Sequence, residues 1–498
     1  MWSKYEFEKP SKSHAFNVKH ESQPTKVNTL QSSIDIWSII FDNDMIARIV
    51  ASTNKKMQEH LTQFQTTNKI QFKDTDEAEV RSLLGLLYYS AIFKCKNIDV
   101  NNLFATDGTS HDIFRMVMCK ERFSTLLNYL QFDDEAECLN TDPLAAVSYI
   151  FEKFVTNSQN NYTLGPNACI NEMLLPFRGR CKFTTYMPNK PARYGIKIRI
   201  LSDAEKPYTY NASIYTGHSD GEFLSDAEKK LEVPTQTVIR LIKPIEYTNR
   251  NVTADSRFSS MQLMQVLHSK NLTYLGTLKK KNPVIPRKFQ PKKERELGSC
   301  LYGFTSDYTI LSHVPEINKA VILISSSHHE PSTDKATNKP VMIIDYDRNK
   351  SGFEEIDRHC SIYSCGRRAR RWSTAVFYRI LDLAAVNAYV LYQSCSSVKL
   401  TQRDFLLSLA RELVLPSLKQ RVYNERLPRE LRLTIRRTLG KNLPPAALSS
   451  DQPDSETKRK TCTVCPSRIR RKTRFSCWVC KKAICLQCST TICEECRY

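Results

Sequence analysis

The sequence predicts a mixed α/β core flanked by helical segments, with a small metal-bound domain near its C-terminal end. Residues 168–201 contain two apolar runs separated by a turn, and the second run alternates apolar and basic residues, which is typical of strands. Residues 34–160 place apolar side chains three and four residues apart, which is typical of helices. The last 37 residues hold eight of the 17 cysteines. A chain of 498 residues is also too long for one core.

The charge of the chain indicates a polyanionic partner. Lys and Arg number 73 against 52 Asp and Glu, so the formal net charge is +21 and the pI is about 9.2. This excess favours nucleic acid over an acidic membrane surface as the partner. The sequence has no continuous run of about 18 apolar residues and no hydrophobic segment at its start, so we expect neither a membrane span nor a signal peptide.

Strand and helix patterns alternate in the middle of the chain. Beyond Leu201 the runs YTYNASIYTG and VIRLIKPIEYTNRNVTADSRF carry strand signals, SSMQLMQVLHSK is interpreted as a helix and LTYLGTL as a further strand. A strand-rich start followed by strand and helix alternation is typical of a mixed α/β sheet. Residues 279–295 then carry eight basic residues against one acidic residue. We interpret this run as part of an inserted segment that faces DNA, although such runs are often solvated loops.

One stretch carries a family resemblance. The sequence FRGRCKFTTYMPNKPARYGIKI, at residues 177–198, resembles the most recognisable stretch of the piggyBac transposase family. The resemblance covers nearly the whole chain from about residue 34. It implies a DDE-type nuclease core with an RNase H-like fold, an all-α dimerisation and DNA-binding domain on both sides of it, and a Cys-rich zinc domain at the end.

Together, the composition and the resemblance give the predicted domain boundaries. They are a disordered arm at 1–30, a helical dimerisation and DNA-binding domain at 31–167 and 369–443, an RNase H-like core at 168–281 and 341–368, an insertion at 282–340, a linker at 444–460 and a Cys-rich double-zinc domain at 461–498.

The resemblance also assigns the metal-binding carboxylates of the nuclease site. The family's first catalytic aspartate falls at Asn171, and its Thr-x-Asp-x-x-Phe-x-Ser pattern places the second at Asp255. The third falls at Glu354, where the family has aspartate, while its companion Asp357 is kept. Taken alone, Asp255 could equally be the N-cap of the helix that follows it.

These substitutions predict impaired cleavage. The family's chemistry uses two Mg²⁺ ions held by carboxylate oxygens, and an amide offers an oxygen without charge. At about 4 Å and an effective dielectric constant of about 20, each lost unit charge removes about 4 kcal/mol of attraction per ionic charge. Glu354 adds one methylene, and a displacement of about 1 Å can cost about a hundredfold in rate.

Three functions follow from this set of residues. The first is a transposase-derived protein that binds transposon-end or TTAA-type DNA, with cleavage weak or lost. The second is an active cut-and-paste transposase that uses Mg²⁺, in which Glu172 or Asp357 compensates for Asn171. The third is a chromatin or protein interaction module that acts through the cysteine-rich tail. In the first two cases we expect double-stranded DNA as the partner, a homodimer, no membrane association and a nuclear location.

The tail contains four C-x2-C pairs, each of which can offer two thiolates to a tetrahedral zinc ion. Four pairs suit two structural zinc ions, and so small a segment needs them to fold. Disulfides are the competing interpretation. The spacing leaves sequential and cross-braced pairing open, whereas the resemblance implies the cross-braced order. That order places Cys462, Cys465, Cys485 and Cys488 on one ion and Cys477, Cys480, Cys493 and Cys496 on the other.

The predicted DNA contacts are basic residues in four clusters, together with one aromatic residue that could stack on a frayed base. Trp372 could instead begin the apolar face of a helix. The residues are Arg178, Arg180, Lys190 and Arg193 near the family motif, Lys279, Lys280 and Lys281 in the basic run, Arg367, Arg368, Arg370, Arg371 and Trp372 in a patch, and Arg468, Arg470, Arg471, Lys472 and Arg474 in the tail.

Overall fold

The computed structural model describes residues 2–4, 23–24, 32–64, 72–133, 142–188, 190–217, 224–280, 282–290, 295–440, 459–466, 468–477 and 482–488. The chain divides into two compact units. The first comprises Met1–Glu77, Leu87–Asn97 and Asn128–Ala410, and the second comprises Ala78–Leu86, Ile98–Leu127 and Arg411–Tyr498. Most of the predicted arm at 1–30 and all but the last two residues of the predicted linker at 444–460 lie outside the described residues.

Thirteen α-helices occur within the described residues. They are α1 Ser33–Ile40, α2 Asn43–Phe64, α3 Glu77–Ile92, α4 Val100–Leu103, α5 Ile113–Val117, α6 Lys120–Tyr129, α7 Ser148–Asn160, α8 Val233–Ile242, α9 Met261–Ser269, α10 Val341–Ile362, α11 Trp372–Cys395, α12 Gln402–Arg421 and α13 Arg429–Leu439.

Within the same described residues, no strand is longer than ten residues. They are β1 Gln23–Pro24, β2 Tyr162–Thr163, β3 Asn167–Pro176, β4 Thr184–Tyr186, β5 Tyr194–Asp203, β6 Thr209–Ile214, β7 Asn251–Ala254, β8 Thr273–Thr277, β9 Cys300–Phe304, β10 Thr309–Glu316, β11 Lys319–Ser325, β12 Lys460–Thr461 and β13 Lys472–Thr473.

A nine-stranded sheet forms the centre of the first unit. Its order is β4–β5–β3–β7–β8–β11–β10–β9, and β6 also pairs with β5. The pairs β3–β7 and β7–β8 are parallel, and the remaining pairs are antiparallel. The predicted mixed α/β core is confirmed, and the sheet has antiparallel pairs among its first strands. The strands of the predicted insertion, β9 to β11, extend this sheet beyond β8.

One segment of this unit was predicted wrongly. The run VIRLI was interpreted as a strand, but it lies in α8. Pro234 occupies the first turn of that helix, where its fixed φ suits a helical start and its missing N–H costs nothing. The Gln236 side chain also donates to the carbonyls of Lys229 and Leu231 and so ties the start of the helix to the preceding turn. The signals for a helix start at Pro234 and Gln236 therefore outweigh the strand preference of the β-branched residues in this run.

Helix α11 is the main apolar element of the helical part of this unit. By length and composition it could cross a membrane, but 94% of its apolar window is buried inside the protein, as in the core helix of a globular fold. The Phe377 ring stacks on Phe132 with centroids 4.2 Å apart. The buried Tyr88 hydroxyl accepts from the Trp37 indole at 2.9 Å and donates to the Leu381 carbonyl at 3.1 Å. This chain of hydrogen bonds joins α1, α3 and α11.

The two described pieces of the N-terminal segment pair with strands of the first unit. Ser3 exchanges backbone hydrogen bonds with Phe304 of β9 at 2.8 and 2.9 Å. The Trp2 indole donates to the Val284 carbonyl at 3.0 Å, and β1 pairs with β2. These contacts anchor parts of a segment that the sequence predicted to be disordered.

The second unit contains its own buried polar contacts. The Arg122 guanidinium donates to both carboxylate oxygens of Glu79, at 2.9 and 2.6 Å. Arg421 donates to the backbone carbonyls of Met116 and Arg115, at 2.8 and 3.2 Å. These arginines hold helices together and face inward, so not every basic residue of the chain is available for a partner.

Helix α10 crosses the sheet and packs against β3, β5, β7 and β11. Met342 and Tyr346 join Leu275, Leu311 and Leu323 of the sheet in one apolar cluster. Gly352 donates its N–H to the Ala204 carbonyl at 3.0 Å, and a Cβ at this position would lie 2.4 Å from the Asp203 carbonyl oxygen. The close approach of helix and sheet thus depends on a missing side chain.

We predict that Gly352→Ala destabilises the first unit. The new methyl group would meet backbone atoms that cannot rotate away, and such overpacking costs about 1–3 kcal/mol. The thermal midpoint of the transition assigned to this unit should fall by several degrees, measured by calorimetry. Ser351→Ala, on the exposed side of the same turn, should change it little. Equal midpoints for the two variants would contradict the packing described above.

Candidate active site, cysteine centre and basic surface

Two of the predicted metal positions lie side by side on neighbouring segments. Strands β3 and β7 pair in parallel with Ile170 opposite Ala254, so Asn171, in the middle of β3, lies beside Asp255, the residue that follows β7. Both are half-buried. The Asn171 Oδ1 accepts from the Glu172 N–H at 2.8 Å, and the Asp255 Oδ1 accepts from the Arg257 N–H at 2.8 Å. The strand pairing therefore brings these positions together.

Helix α10 places Glu354 over the same face of the sheet. Side chains alternate along a strand, so Cys169 and Asn171 share a face. The Asn349 amide of α10 donates to the Thr253 hydroxyl at 3.1 Å, and Thr253 is the register partner of Cys169. Glu354, just over one turn further along the helix, is mostly exposed.

A lysine that the sequence patterns did not single out lies among these groups. The Lys350 Nζ is 3.6 Å from the Glu354 carboxylate. Burial acts to lower the pKa of Lys350, but Tyr346, Glu354, Cys169 and Asp255 together raise it. Burial raises the pKa of the Cys169 thiol to about 12, with Lys350 opposing and Asp255 and Glu354 adding to the rise. Asp255, Glu354 and Lys350 thus lie close enough to Cys169 to change its pKa.

Asp357 lies one further turn along α10 and faces a different cation. Arg379 of α11 is buried, and its guanidinium lies 4.0 Å from the Asp382 carboxylate. Burial acts to lower the pKa of Arg379, but Cys360, Asp382 and Asp357 outweigh it and raise the pKa. Asp382 also accepts hydrogen bonds from Ser364 and Cys365. Asp357 is therefore within the field of a buried guanidinium.

Glu172, one of the two residues that could compensate for Asn171, points to the opposite face of the sheet. Its carboxylate is buried and lies 3.3 Å from the Lys197 ammonium and 4.0 Å from the Arg199 Nε, and it also pairs with Arg257. A carboxylate on the other face, held by three cations, cannot replace one that faces α10. Compensation by Glu172 has no structural support.

This set of residues fits a pair of magnesium ions poorly. Magnesium sites are built from carboxylate oxygens and waters in an octahedral arrangement. Three carboxylates at Asp255, Glu354 and Asp357 carry −3, and Lys350 returns +1, whereas Arg379 is already offset by Asp382. The sum of −3 and +1 leaves −2 for two divalent ions. The Asn171 amide adds an oxygen but no charge.

The tail forms a compact cluster of thiols within the second unit. The sulfur atoms of Cys462, Cys465, Cys485 and Cys488 all lie within 4.8 Å of one another. The Cys465 sulfur is 3.6 Å from that of Cys485 and 3.4 Å from that of Cys488. Zinc–sulfur bonds of about 2.3 Å place tetrahedral sulfurs about 3.8 Å apart, so these residues fit a zinc ion.

Backbone structure holds the two halves of this cluster together. The β12–β13 hairpin carries Cys462, whose N–H donates to the Arg471 carbonyl at 2.7 Å, and the Thr473 hydroxyl donates to the Ile484 carbonyl at 2.7 Å. Burial acts to raise the pKa of the Cys462 thiol, but the N–H groups of Cys485, Val464 and Cys465 outweigh it and lower the pKa to about 6.

The structure brings together the four cysteines that the resemblance placed on one ion. For the second predicted ion, Cys477 is buried, whereas Cys480, Cys493 and Cys496 lie outside the described residues.

With this geometry in place, the chain can be compared with known proteins. The family profile described as Transposase IS4 matches residues 32–389. The human PiggyBac transposable element-derived protein 2 is 20% identical over 384 residues, which cover 73% of this chain and 62% of that protein. A cryo-EM structure of the piggyBac transposase synaptic complex with hairpin DNA matches with a TM-score of 0.79 and 29% identity, covering 96% of this chain and all of that one.

This chain belongs to the piggyBac transposase family. The predicted fold class is confirmed, with the RNase H-like core, the helical parts and a cysteine cluster able to hold a metal. The chain spans only 62% of the length of the curated human relative, so similarity to that relative does not extend to the whole of it.

Two segments that carry predicted DNA-binding residues lie in contact in the first unit, the turn at Gly179 and the segment at Arg370. Gly179, between Arg178 and Arg180, is packed so closely that a Cβ there would lie 2.8 Å from the Arg370 carbonyl oxygen. The Phe183 ring meets the Trp372 ring edge-on with centroids 5.0 Å apart. The turn of the family motif and the predicted arginine patch therefore form one surface.

The four arginines of the patch have different roles. Arg367 donates to the Ser90 hydroxyl and the Cys95 carbonyl, and Arg371 donates to the Gln131 side chain at 3.0 Å and the Leu130 carbonyl at 2.7 Å. These two guanidinium groups join helices. Arg368 and Arg370 are exposed, so the predicted contact with phosphates falls mainly to them.

The other predicted basic residues are mostly at the surface. Trp372 is half-buried at the start of α11, against Phe183. Lys190 is half-buried, and Lys281 lies outside the described residues. The exposed members are Arg178, Arg180, Arg193, Lys279, Lys280, Arg468, Arg470, Arg471, Lys472 and Arg474.

The sequence patterns did not reveal Lys350 and Arg379, the two cations beside the carboxylates. Lys350 precedes Glu354 by one helical turn, a spacing that could have indicated an ion pair. No sequence signal links Arg379 to Asp357, because they lie on different helices that meet only in the folded chain.

We predict that Cys488→Ser removes one zinc ion per chain, because a serine hydroxyl does not replace a thiolate ligand. Zinc released from purified protein, measured with a colorimetric chelator, should fall by one equivalent relative to the parent chain. Cys119→Ser changes an exposed thiol that is outside the cluster and should leave the zinc content unchanged. Unchanged zinc in Cys488→Ser would refute the assigned ligand set.

Proposed function

We propose that this chain is a transposase-derived DNA-binding protein whose nuclease site has weak or no activity. The main support for this proposal is the charge of the residues at the predicted metal positions. An uncharged amide, Asn171, stands beside Asp255, and the ammonium of Lys350 lies 3.6 Å from the Glu354 carboxylate. These two features support a site with less negative charge than two divalent ions require.

Binding to double-stranded DNA is supported by charge and by its distribution. The net charge is +21, and the turn at Arg178 and Arg180 lies against the backbone of Arg370. This arrangement places three exposed guanidinium groups on neighbouring segments, which suits successive phosphates of a DNA backbone. The similar cryo-EM structure is of a synaptic complex with hairpin DNA, and we extend DNA binding from that relative to this chain.

The finer features of the proposal follow from family membership. Transposon-end DNA with a TTAA sequence is the proposed ligand, a homodimer the proposed assembly and the nucleus the proposed location. Two structural zinc ions are proposed for the tail, of which the Cys462, Cys465, Cys485 and Cys488 cluster supplies the ligands for one.

The competing proposal is an active transposase. It would require Asp357 to serve as a metal ligand despite the neighbouring Arg379, since Glu172 faces away. Direct measurement of cleavage separates the two proposals.

We predict that the unmodified chain shows little Mg²⁺-dependent cleavage of a duplex that carries a TTAA end. Asn171→Asp restores one charge and should recover cleavage in part, and adding Glu354→Asp should raise it further. The two gains should be coupled, because both side chains would act on the same pair of ions. Product formation on a sequencing gel, with and without Mg²⁺, measures each step.

The controls for this series distinguish its possible outcomes. Asp255→Asn in the doubly restored chain should abolish any recovered activity and so exclude a contaminating nuclease. Cleavage by the unmodified chain at the rate of the doubly restored one would refute the inactive site. Failure of every variant to cleave, with DNA binding intact, would show that the defect extends beyond Asn171 and Glu354.

We predict that DNA binding weakens steeply with salt and depends on the exposed arginines. Arg178→Ala and Arg370→Ala should each lower affinity and reduce the slope of log K against log salt by about 1, because each removes one phosphate contact. Fluorescence anisotropy over a salt series gives both quantities. Lys319→Ala removes an exposed cation that pairs with Glu316 and should change neither. Equal effects of all three substitutions would argue against a localised DNA surface.

A further inference from the structure

Two tyrosines lie side by side on the surface at the edge of the central sheet. Tyr186 of β4 and Tyr194 of β5 are register partners, and their ring centroids are 4.8 Å apart with the planes tilted by 42°. Each side chain is 52% exposed. Within the described residues, neither hydroxyl makes a hydrogen bond. Aromatic rings usually bury their faces, so an exposed pair is a candidate contact surface.

The loop that joins the two strands holds this pair in place. The Met187 N–H donates to the Arg193 carbonyl at 2.7 Å, and the Lys190 N–H donates to the Met187 carbonyl at 3.1 Å. Arg193 adopts a φ of 56°, a left-handed conformation that closes the loop directly before Tyr194. Backbone hydrogen bonds thus link the two strand ends directly after Tyr186 and directly before Tyr194.

The surroundings of the pair are basic. Residues 177–197 contain six Lys and Arg and no Asp or Glu. Arg193 and Lys182 are exposed next to the rings in sequence. Aromatic faces among cations fit an unpaired nucleobase with its phosphates, because the ring stacks on the base and the cations neutralise the backbone.

The pair lies further along the sheet than the nuclease site, in the direction of the carboxyl end of β3. Asn171 pairs with Ile200 of β5, whereas Tyr194 lies beyond the Pro176–Gly195 pair, six residues further along the register, or about 20 Å. The Lys190 ammonium lies 5.9 Å from the ring centroid of Phe353, the residue before Glu354. A frayed strand of several nucleotides would therefore reach from the site to the hairpin.

We propose that Tyr186 and Tyr194 form a stacking platform for an unpaired base of the bound DNA. This inference rests on the proposed DNA-binding function and adds a distinct ligand, a single-stranded nucleotide at a duplex end. It is independent of cleavage, so a chain with an inactive nuclease site would still use the platform.

The test compares three DNA ligands by fluorescence anisotropy. They are a blunt duplex, the same duplex with a short single-stranded overhang, and that overhang with abasic sugars, which keep the phosphates but remove the bases. Stacking on aromatic side chains contributes enough that the overhang with bases should bind at least about fivefold more tightly than the abasic one. The double variant Tyr186→Ala/Tyr194→Ala should lose this difference.

Matched variants separate stacking from folding. The double variant Tyr186→Phe/Tyr194→Phe keeps both rings and should retain the preference for bases. Tyr247→Ala removes another exposed tyrosine, at 64% exposure, and should have no effect. Circular dichroism and the thermal midpoint verify that each variant is folded. A 2-aminopurine in the overhang should be quenched by the parent chain and by the phenylalanine variant, but not by the alanine variant.

Each outcome supports or overturns the platform. Loss of base preference in the alanine variant alone supports it. Equal affinity of the parent chain for the base-containing and abasic overhangs overturns it while leaving DNA binding intact, as does a preference that survives in the alanine variant. If the alanine variant changes only the oligomeric state in sedimentation, the pair is a contact between copies and the platform is refuted. Failure to bind any of the three DNAs would overturn the proposed function itself.

Discussion

Helix α10 can lie directly on the central sheet because Gly352 has no side chain. Its N–H bonds to the Ala204 carbonyl at 3.0 Å, where a Cβ would meet the Asp203 carbonyl oxygen at 2.4 Å. Asn349, one turn earlier, bonds to Thr253 on β7. These contacts fix the rotation and the height of the helix above the sheet. The positions of Lys350, Glu354 and Asp357 relative to Asn171 and Asp255 depend on them.

The electrostatics of this site differ from those of a metal-dependent nuclease. Where two divalent ions need several carboxylates, the chain has an amide at Asn171 and two cations, Lys350 and Arg379, close to the remaining carboxylates. Lys350 contacts Glu354 on its own helix, and Arg379 approaches Asp357 from α11. Internal cations offset part of the charge of these carboxylates, so the fold can keep its shape without bound metal ions.

The basic residues of the chain serve two purposes, which burial separates. Arg367 and Arg371 bond to backbone carbonyls and side chains of the helical part, and Arg122 and Arg421 do the same within the second unit. Their exposed neighbours are available for phosphates. A net charge of +21 thus overstates the number of cations that can meet DNA. Whether an arginine is exposed or buried therefore decides whether it can contact DNA, even among neighbours in one turn or at one helix start.

The sequence by itself determined the fold class, the family and the cysteine pattern, because each is encoded locally. Strand and helix periods follow from neighbouring residues, and the motif at residues 177–198 and the C-x2-C pairs are short and specific. The run VIRLI shows the limit of this reasoning, since the turn before α8 and its Pro234 outweighed an apparent strand pattern. The family resemblance marked Asn171 as the unusual position.

Only the tertiary structure decided what surrounds those positions. The parallel register of β3 and β7 placed Asn171 beside Asp255, and the alternation along β3 turned Glu172 to the other face. Arg379 reached Asp357 from a helix that begins after the end of α10, and the hairpin register brought Tyr186 next to Tyr194. Contacts between segments distant in sequence depend on the packing of whole elements. No local pattern of residue types specifies which side chains such packing brings together.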